Sequence, residues 1–187
     1  SLTAPVQVAG PVSFYGGNIT LNHNLNTTSG DANGDVLLKA SANILLEGGK
    51  SITTNGGDVI LWSNSDGGTS DGGAFFKIGS SVATEGGHIW IGGGNGNTTW
   101  NGLTVGNGFA VSGRNPIDLN YIGGLSDWYA GVAFIQTRLS SAGGNIYIAG
   151  QRNISSPSLV GAGVINNSGT GTLIDAGTGI VTLKGSN

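Results

Sequence analysis

The chain has no cysteine, no methionine, few charges and no long apolar run. Without cysteine there are no disulfides, no thiolate nucleophile and no Cys-ligated zinc. Seven Lys and Arg against ten Asp and Glu leave a net charge of −3, and no two basic residues are adjacent. Such a chain offers no electrostatic footprint for nucleic acid or anionic lipid. No apolar stretch approaches the roughly 18 residues of a membrane span, so no membrane insertion is expected. The chain carries no signal-peptide pattern, opens on Ser1 and lacks Met throughout, so it reads as a piece of a longer protein.

What is abundant is glycine. It fills 37 of 187 positions, about a fifth of the chain against an average near 7%. Hydrophobic residues still make up 37%, with many Val, Ile and Leu, which separates this composition from a disordered one. Glycine with β-branched residues favours short strands joined by many turns. Low charge, no Cys or Met, and plentiful Asn, Thr and Ser fit an exported bacterial surface protein.

The glycines mark a repeat. GGNITL (16–21), NGDVLL (33–38), GGDVIL (56–61), GGHIWI (86–91), GGNIYI (143–148) and TGIVTL (178–183) share one template, and RNPIDL (114–119) is a degenerate copy in the long gap. Each copy is a glycine turn, a variable residue, then apolar, outward and apolar residues. That alternation is the period-2 signature of a strand with one buried face. The inward pairs are Ile19/Leu21, Val36/Leu38, Val59/Leu61, Ile89/Ile91, Ile117/Leu119, Ile146/Ile148 and Val181/Leu183. One such strand every 17 to 35 residues predicts an all-β chain wound as a parallel β-helix (a β-solenoid) of about six coils, with ANILLEGG (42–49), SIT (51–53), FFKIGSSV (75–82) and TRLSS (137–141) on the other sides. Residues 1–187 form one domain, with an irregular insertion near 95–135. The alternative fold is an antiparallel β-sandwich, which favours turn signals every 8 to 12 residues.

GGNITLNHNLNT (16–27), GGDVILWSNSDGG (56–68), VATEGGHIWIGGGNG (82–96) and the tail GTGTLIDAGTGIVTLKGSN (169–187) resemble the repeat regions of filamentous-haemagglutinin-like, two-partner-secreted bacterial adhesins. The likeness covers most of the chain and is weakest over 100–140. It implies a right-handed parallel β-helix in a large secreted or cell-surface protein that adheres and extends, without catalysis. The partners it implies are extracellular glycans or other copies of the chain.

Several motifs point to chemistry and then fail it. GGGNGN (92–97) lacks the third glycine of the dinucleotide fingerprint, since Thr99 stands there. GTSDG (68–72) matches a nucleophile elbow around Ser70 by letters alone, and the chain's histidines are His23 and His88. Arg114, Asp118 and Asp127 allow a polysaccharide lyase or glycoside hydrolase as an alternative, although an acidic polymer calls for more than three arginines. An ice-binding solenoid needs a flat outward threonine array, and Thr20 and Thr182 are separated by unlike residues.

Two sets of residues remain. Asp31, Asn33 and Asp35 in GDANGD, with Asp66 and Asp71 in SNSDGGTSDGG, are candidate calcium ligands. The loop pattern breaks at Val36, where a glycine is needed, and Asp, Asn and Gly are also turn formers, which is the favoured reading. No cofactor is required. The outward column reads Thr20, Leu37, Ile60, Trp90, Asp118, Tyr147 and Thr182, placing Trp90 and Tyr147 two copies apart. Together with Trp100, Tyr121, Asp127, Trp128 and Tyr129 of the insertion, these aromatics are candidate glycan contacts. The competing reading, which is favoured, has the insertion fold over the strand and bury them in a satellite core.

Overall fold

The computed structural model describes residues 1–27, 34–68, 71–112, 129–153, 161–166 and 171–186. They are all-β, and no helix occurs among them. The strands fall into three sheets, I, II and III, and the chain visits them in the same order each time. The first round is β1 (Val6–Gln7), β2 (Val12–Gly16) and β3 (Ile19–Leu21); the second is β4 (Leu25–Asn26), β5 (Val36–Ala40) and β6 (Ile44–Leu46). The third is β7 (Ser51–Thr53), β8 (Val59–Trp62), the two-residue β9 (Asp71–Gly72) and β10 (Ala74–Phe76). The fourth is interrupted: β11 (Ser81–Ala83), β12 (Ile89–Trp100), β13 (Leu103–Gly108), β14 (Ala110–Ser112) and β15 (Tyr129–Phe134). The fifth is β16 (Arg138–Ser140), β17 (Ile146–Arg152) and β18 (Gly161–Asn166), and β19 (Leu173–Asp175) and β20 (Val181–Ser186) follow.

Strands of successive rounds pair in parallel, β1-β4-β7-β11-β16-β19 in sheet I and β3-β6-β10-β15-β18 in sheet III. In sheet II the run is β2-β5-β8-β12-β17, with β20 on β17. The antiparallel pairs are β12 with β13 and β14 with β9. A sandwich of antiparallel strands is therefore not what this chain builds.

Register makes the core. Val12, Val36, Val59, Ile89, Ile146 and Val181 form one column in sheet II, and Phe14, Leu38, Leu61, Ile91, Ile148 and Leu183 form the next. Leu25, Ile52, Val82 and Leu139 in sheet I and Ile44, Leu46, Phe76, Val132 and Phe134 in sheet III face them across the interior. Period-2 alternation in three- to five-residue strands puts every second side chain inside, and parallel in-register pairing stacks like on like.

The recurring corner before sheet II explains the glycine template letter by letter. In TNGGD (54–58), TEGGH (84–88) and SAGGN (141–145) the first glycine has positive φ (Gly56 83°, Gly86 116°, Gly143 126°), which side chains resist. The second has no room: a Cβ on Gly57, Gly87 or Gly144 would overlap the carbonyl of the glycine one round earlier. The buried hydroxyls of Thr54, Thr84 and Ser141 donate to the carbonyls of Gly57, Gly87 and Gly144. The next residue accepts the backbone N–H of the following round: Asp58 N–H bonds Asp35 Oδ1 (2.8 Å), His88 N–H bonds Asp58 Oδ1 (2.6 Å), Asn145 N–H bonds His88 Nδ1 (2.8 Å) and Ile180 N–H bonds Asn145 Oδ1 (2.9 Å).

Three expectations need correction. GGNITL is not a sheet II copy: Ile19–Leu21 pairs with Ile44–Leu46 in sheet III. The first sheet II strand is instead Val12–Gly16, behind Gly10 and Pro11. RNPIDL, including Ile117, Asp118 and Leu119, lies outside the described residues, and no copy intervenes in the column, because Ile89–Ile91 pairs directly with Ile146–Ile148. The excursion is also smaller than 95–135, since Val132 and Phe134 sit in the regular sheet III core. The pieces 42–49, 51–53, 75–82 and 137–141 do supply sheets I and III.

Gly87→Ala is expected to lower stability by about 1–3 kcal/mol, because the overlap is with backbone that cannot turn aside. Gly17→Ala, in open space with ordinary φ, is expected to be neutral or slightly stabilising. Thermal melts of both variants check this. Leu61→Asp, burying a carboxylate in the fully enclosed column, is expected to abolish the folded state; an unchanged melting temperature refutes the inward register.

Candidate functional site

The interrupted round leaves sheet II in the middle of a strand. Ile89–Ile91 belongs to the stack, and β12 then runs on as an antiparallel hairpin with β13, with a register shift between Gly93 and Asn97. The turn is Asn101–Gly102, both at positive φ (47° and 82°), between paired Trp100 and Leu103. Two positive-φ residues make the type I′ turn whose twist suits a hairpin, and Asn-Gly is its preferred pair. This signal stands in TTWNGLTV (98–105) and marks a hairpin at the start of the segment expected to be an irregular insertion.

The hairpin folds over the outer face of sheet II. Trp62, Trp90 and Val105 form a buried cluster, with Ile60, Trp100, Leu103 and Tyr147 packed around it. Trp62 meets Trp90 edge to face (6.4 Å between ring centroids), and its Nε1 donates to the Gly94 carbonyl at 2.8 Å. Trp90 and Tyr147 occupy adjacent rounds, not alternate ones, and their rings lie parallel at 6.0 Å. The satellite core predicted for these aromatics is present. Trp90, 2% exposed, is held in this core and meets the cleft beside it only as its floor.

Trp100 and Tyr147 are different. Both are half-buried, their centroids 5.8 Å apart, with His88 edge-on to Trp100 at 5.5 Å. They border a cleft of about 280 Å³ between the hairpin and the end of sheet II, lined also by Thr98, Asn107, Phe109 and Lys184. The Lys184 ammonium lies 5.2 Å from the Tyr147 ring, and that of Lys39 lies 3.7 Å from Trp62 at the opposite side of the aromatic column. Cation–π contacts near the surface are worth about 0.5–1 kcal/mol. Lys39, Trp62 and Lys184 did not figure among the candidates. The β-strand register, which places Lys39 beside Trp62, carried that information.

Of the other candidate glycan contacts, Tyr121, Asp127 and Trp128 lie outside the described residues, as does the side chain of Tyr129, whose backbone begins β15. So do Ser70 and Arg114. Asp31, Asn33 and the side chain of Asp71 are likewise outside. The two remaining calcium candidates each accept a backbone N–H: Asp35 from Asp58, and Asp66 from Gly68 at 2.9 Å. Among the described residues no three or more His, Asp or Glu side chains are grouped to hold a metal ion.

Trp90→Ala removes the centre of the outer cluster and is expected to cost about 3–5 kcal/mol and to release the hairpin. A lowered melt together with new proteolytic cleavage within 94–107 checks it; an intact hairpin refutes the packing role. Compared with known proteins, the chain matches no family model, no curated protein and no solved structure.

Proposed function

We propose that the chain is a right-handed parallel β-helix serving as a non-catalytic, adhesive segment of a secreted or surface-exposed bacterial adhesin, with the cleft at Trp100 and Tyr147 contacting extracellular glycans. The helical winding is supported by the unvarying I-II-III order of the three sheets. Right-handedness is supported by the strong preference of parallel β crossovers. Export is supported by the composition and by the resemblance of the repeat segments, which also supply the adhesin reading.

The observation that carries glycan contact is the convergence of two half-buried aromatic rings with hydroxyl, amide and ammonium groups around one cleft. A pyranose presents an apolar face and a rim of hydroxyls, and so fits a site where amphipathic rings stand beside short polar side chains. The site sits on a strand of the stack and a hairpin pinned by Trp62 and Trp90, so its geometry is preorganised and binding orders little.

On a glycan array, the chain is expected to bind a limited set of saccharides, and Trp100→Ala is expected to weaken that binding about tenfold or more, with the melting temperature little changed. Absence of binding across the array, or binding indifferent to Trp100 and Tyr147 substitution, overturns the glycan reading.

A further inference from the structure

We infer that the glycan site extends past the Trp100–Tyr147 cleft into a second, polar cleft at Asn64, and that its ligand is an oligosaccharide whose chain crosses Phe109, a reading that rests on glycan contact at the first cleft.

The second cleft, about 440 Å³, lies between the turn after β8, the base of the hairpin and the end of β17, and is lined by Asn64, Asn95, Phe109, Val111, Gln151 and Arg152. Gly108 and Phe109 border both clefts, so one wall separates them. On β17, Tyr147 and Gln151 are an even number of positions apart and so share the outer face of the strand. Tyr147 borders the first cleft and Gln151 the second, about 13 Å apart along the strand. No single pyranose spans that separation, whereas a short chain of them does. Half-buried Phe109 gives such a chain an apolar surface to cross.

The chemistry of the second cleft suits hydroxyl groups. Its side-chain amides, Asn64, Asn95 and Gln151, come from three separate elements, and each offers both a donor and an acceptor. Asn64 is 4% exposed and held in the left-handed region (φ 50°). Its Nδ2 donates to the Phe109 carbonyl at 3.4 Å, which fixes the amide, and among the described residues nothing donates to its buried Oδ1. A buried acceptor without a donor is unfavourable, and a hydroxyl arriving from the cleft relieves it. Glycine opens the wall beside this oxygen. A Cβ on Gly68 would stand 3.8 Å from Asn64 Oδ1 and 3.2 Å from Asp66 Oδ1, so two oxygens border one point that no side chain fills. Gly67, Gly94 and Gly108 likewise present bare backbone to the cleft, the arrangement by which a ligand comes close to main chain. The oxygens gathered there are acceptors, and a sugar hydroxyl supplies the donor. The first cleft thus provides ring stacking and the second hydrogen bonding, two parts of the recognition of one polyhydroxylated chain.

The test is binding of the whole chain to chain-length series of gluco-, galacto-, manno- and chito-oligosaccharides, from the monosaccharide upward, by glycan array and titration calorimetry. Affinity is expected to rise about tenfold or more between the monosaccharide and a short oligosaccharide and then to level off. Gln151→Ala and Asn95→Ala are each expected to lower oligosaccharide affinity to the monosaccharide level, with the thermal melt unchanged, whereas Trp100→Ala weakens every member of the series. Asn64→Gly keeps the left-handed turn and removes the acceptor, and is expected to lose the same gain. Equal affinity along a series, or a gain indifferent to Gln151 and Asn95, overturns the second cleft and leaves glycan contact at Trp100 standing. Loss of the gain on adding EDTA sets a divalent cation between Asn64 and the sugar and overturns direct hydroxyl bonding. Binding to no saccharide overturns the reading of the first cleft, and the second with it.

Discussion

Everything in this molecule depends on one close approach, the backbone contact between glycines of successive rounds at the corner leading into sheet II. Gly34, Gly57, Gly87, Gly144 and Gly179 each sit where a Cβ would collide with the carbonyl of the glycine beneath. The contact works as a depth stop. With it in place, Val59 stands over Val36 and Ile89 over Val59 in fully buried columns. One added methyl group shifts a whole round, because parallel register in sheet II is continuous with that in sheets I and III. The buried hydroxyls of Thr54, Thr84 and Ser141 hold the same corner from inside by satisfying the glycine carbonyls. A buried carbonyl left without a donor costs about 1–3 kcal/mol, so the hydroxyl and the glycine are coupled choices.

This corner also explains how much was legible in sequence. Copies at 56–61, 86–91 and 143–148 stand out because each letter has a separate physical demand behind it. GGNITL looked equivalent, since Gly16 and Gly17 precede an alternating strand, but Gly17 has open space where a true corner glycine has none. Sheet III uses the same alternation and its own side-chain ladder, in which Asn18 accepts from Asn43 and Asn43 from Gly73, so strand pattern alone does not tell the sheets apart. The Val12–Gly16 strand fits the same template in GPVSF (10–14), but with a single glycine and a proline in the variable position it lacks the doubled glycine that marks the other copies. RNPIDL was drawn in by the assumption of even spacing, whereas one round holds the whole interval between Ile91 and Ile146.

For the site, convergence of Trp90, Trp100 and Tyr147 was legible as a cluster of aromatics and illegible as a division of labour. Trp90 and Tyr147 are register partners, which requires the direct β12–β17 pairing to be known. Only then does Trp90 become the buried floor and Tyr147 the rim. The Asn101–Gly102 turn was readable locally, yet where its hairpin lies follows from Trp62, Trp90 and Val105 meeting across three strands. Lys39 and Lys184 carry no sequence signature as aromatic neighbours, because cross-strand proximity is invisible until register is fixed.

The long fourth round shows why a stack of this kind can acquire a site at all. Loop closure costs only about 0.6 kcal/mol for each doubling of length, so an excursion between Ile91 and Tyr129 weakens the fold little as long as both flanking strands keep their register. What the excursion must supply is cover for the apolar side chains it exposes outward. Here the outward column runs Ile60, Trp90 and Tyr147 just where the hairpin lands, so the residues that bury the hairpin's apolar side and those that edge the cleft are neighbours on the same strands. Rigidity is thereby inherited: Trp100 is held through Tyr147 and His88, and His88 is itself a rung of the corner ladder, accepting from Asn145 while its own N–H bonds Asp58. The depth stop and the brace of the cleft are neighbours along the chain: Gly87 makes the close approach, and His88, next to it, stands edge-on to Trp100.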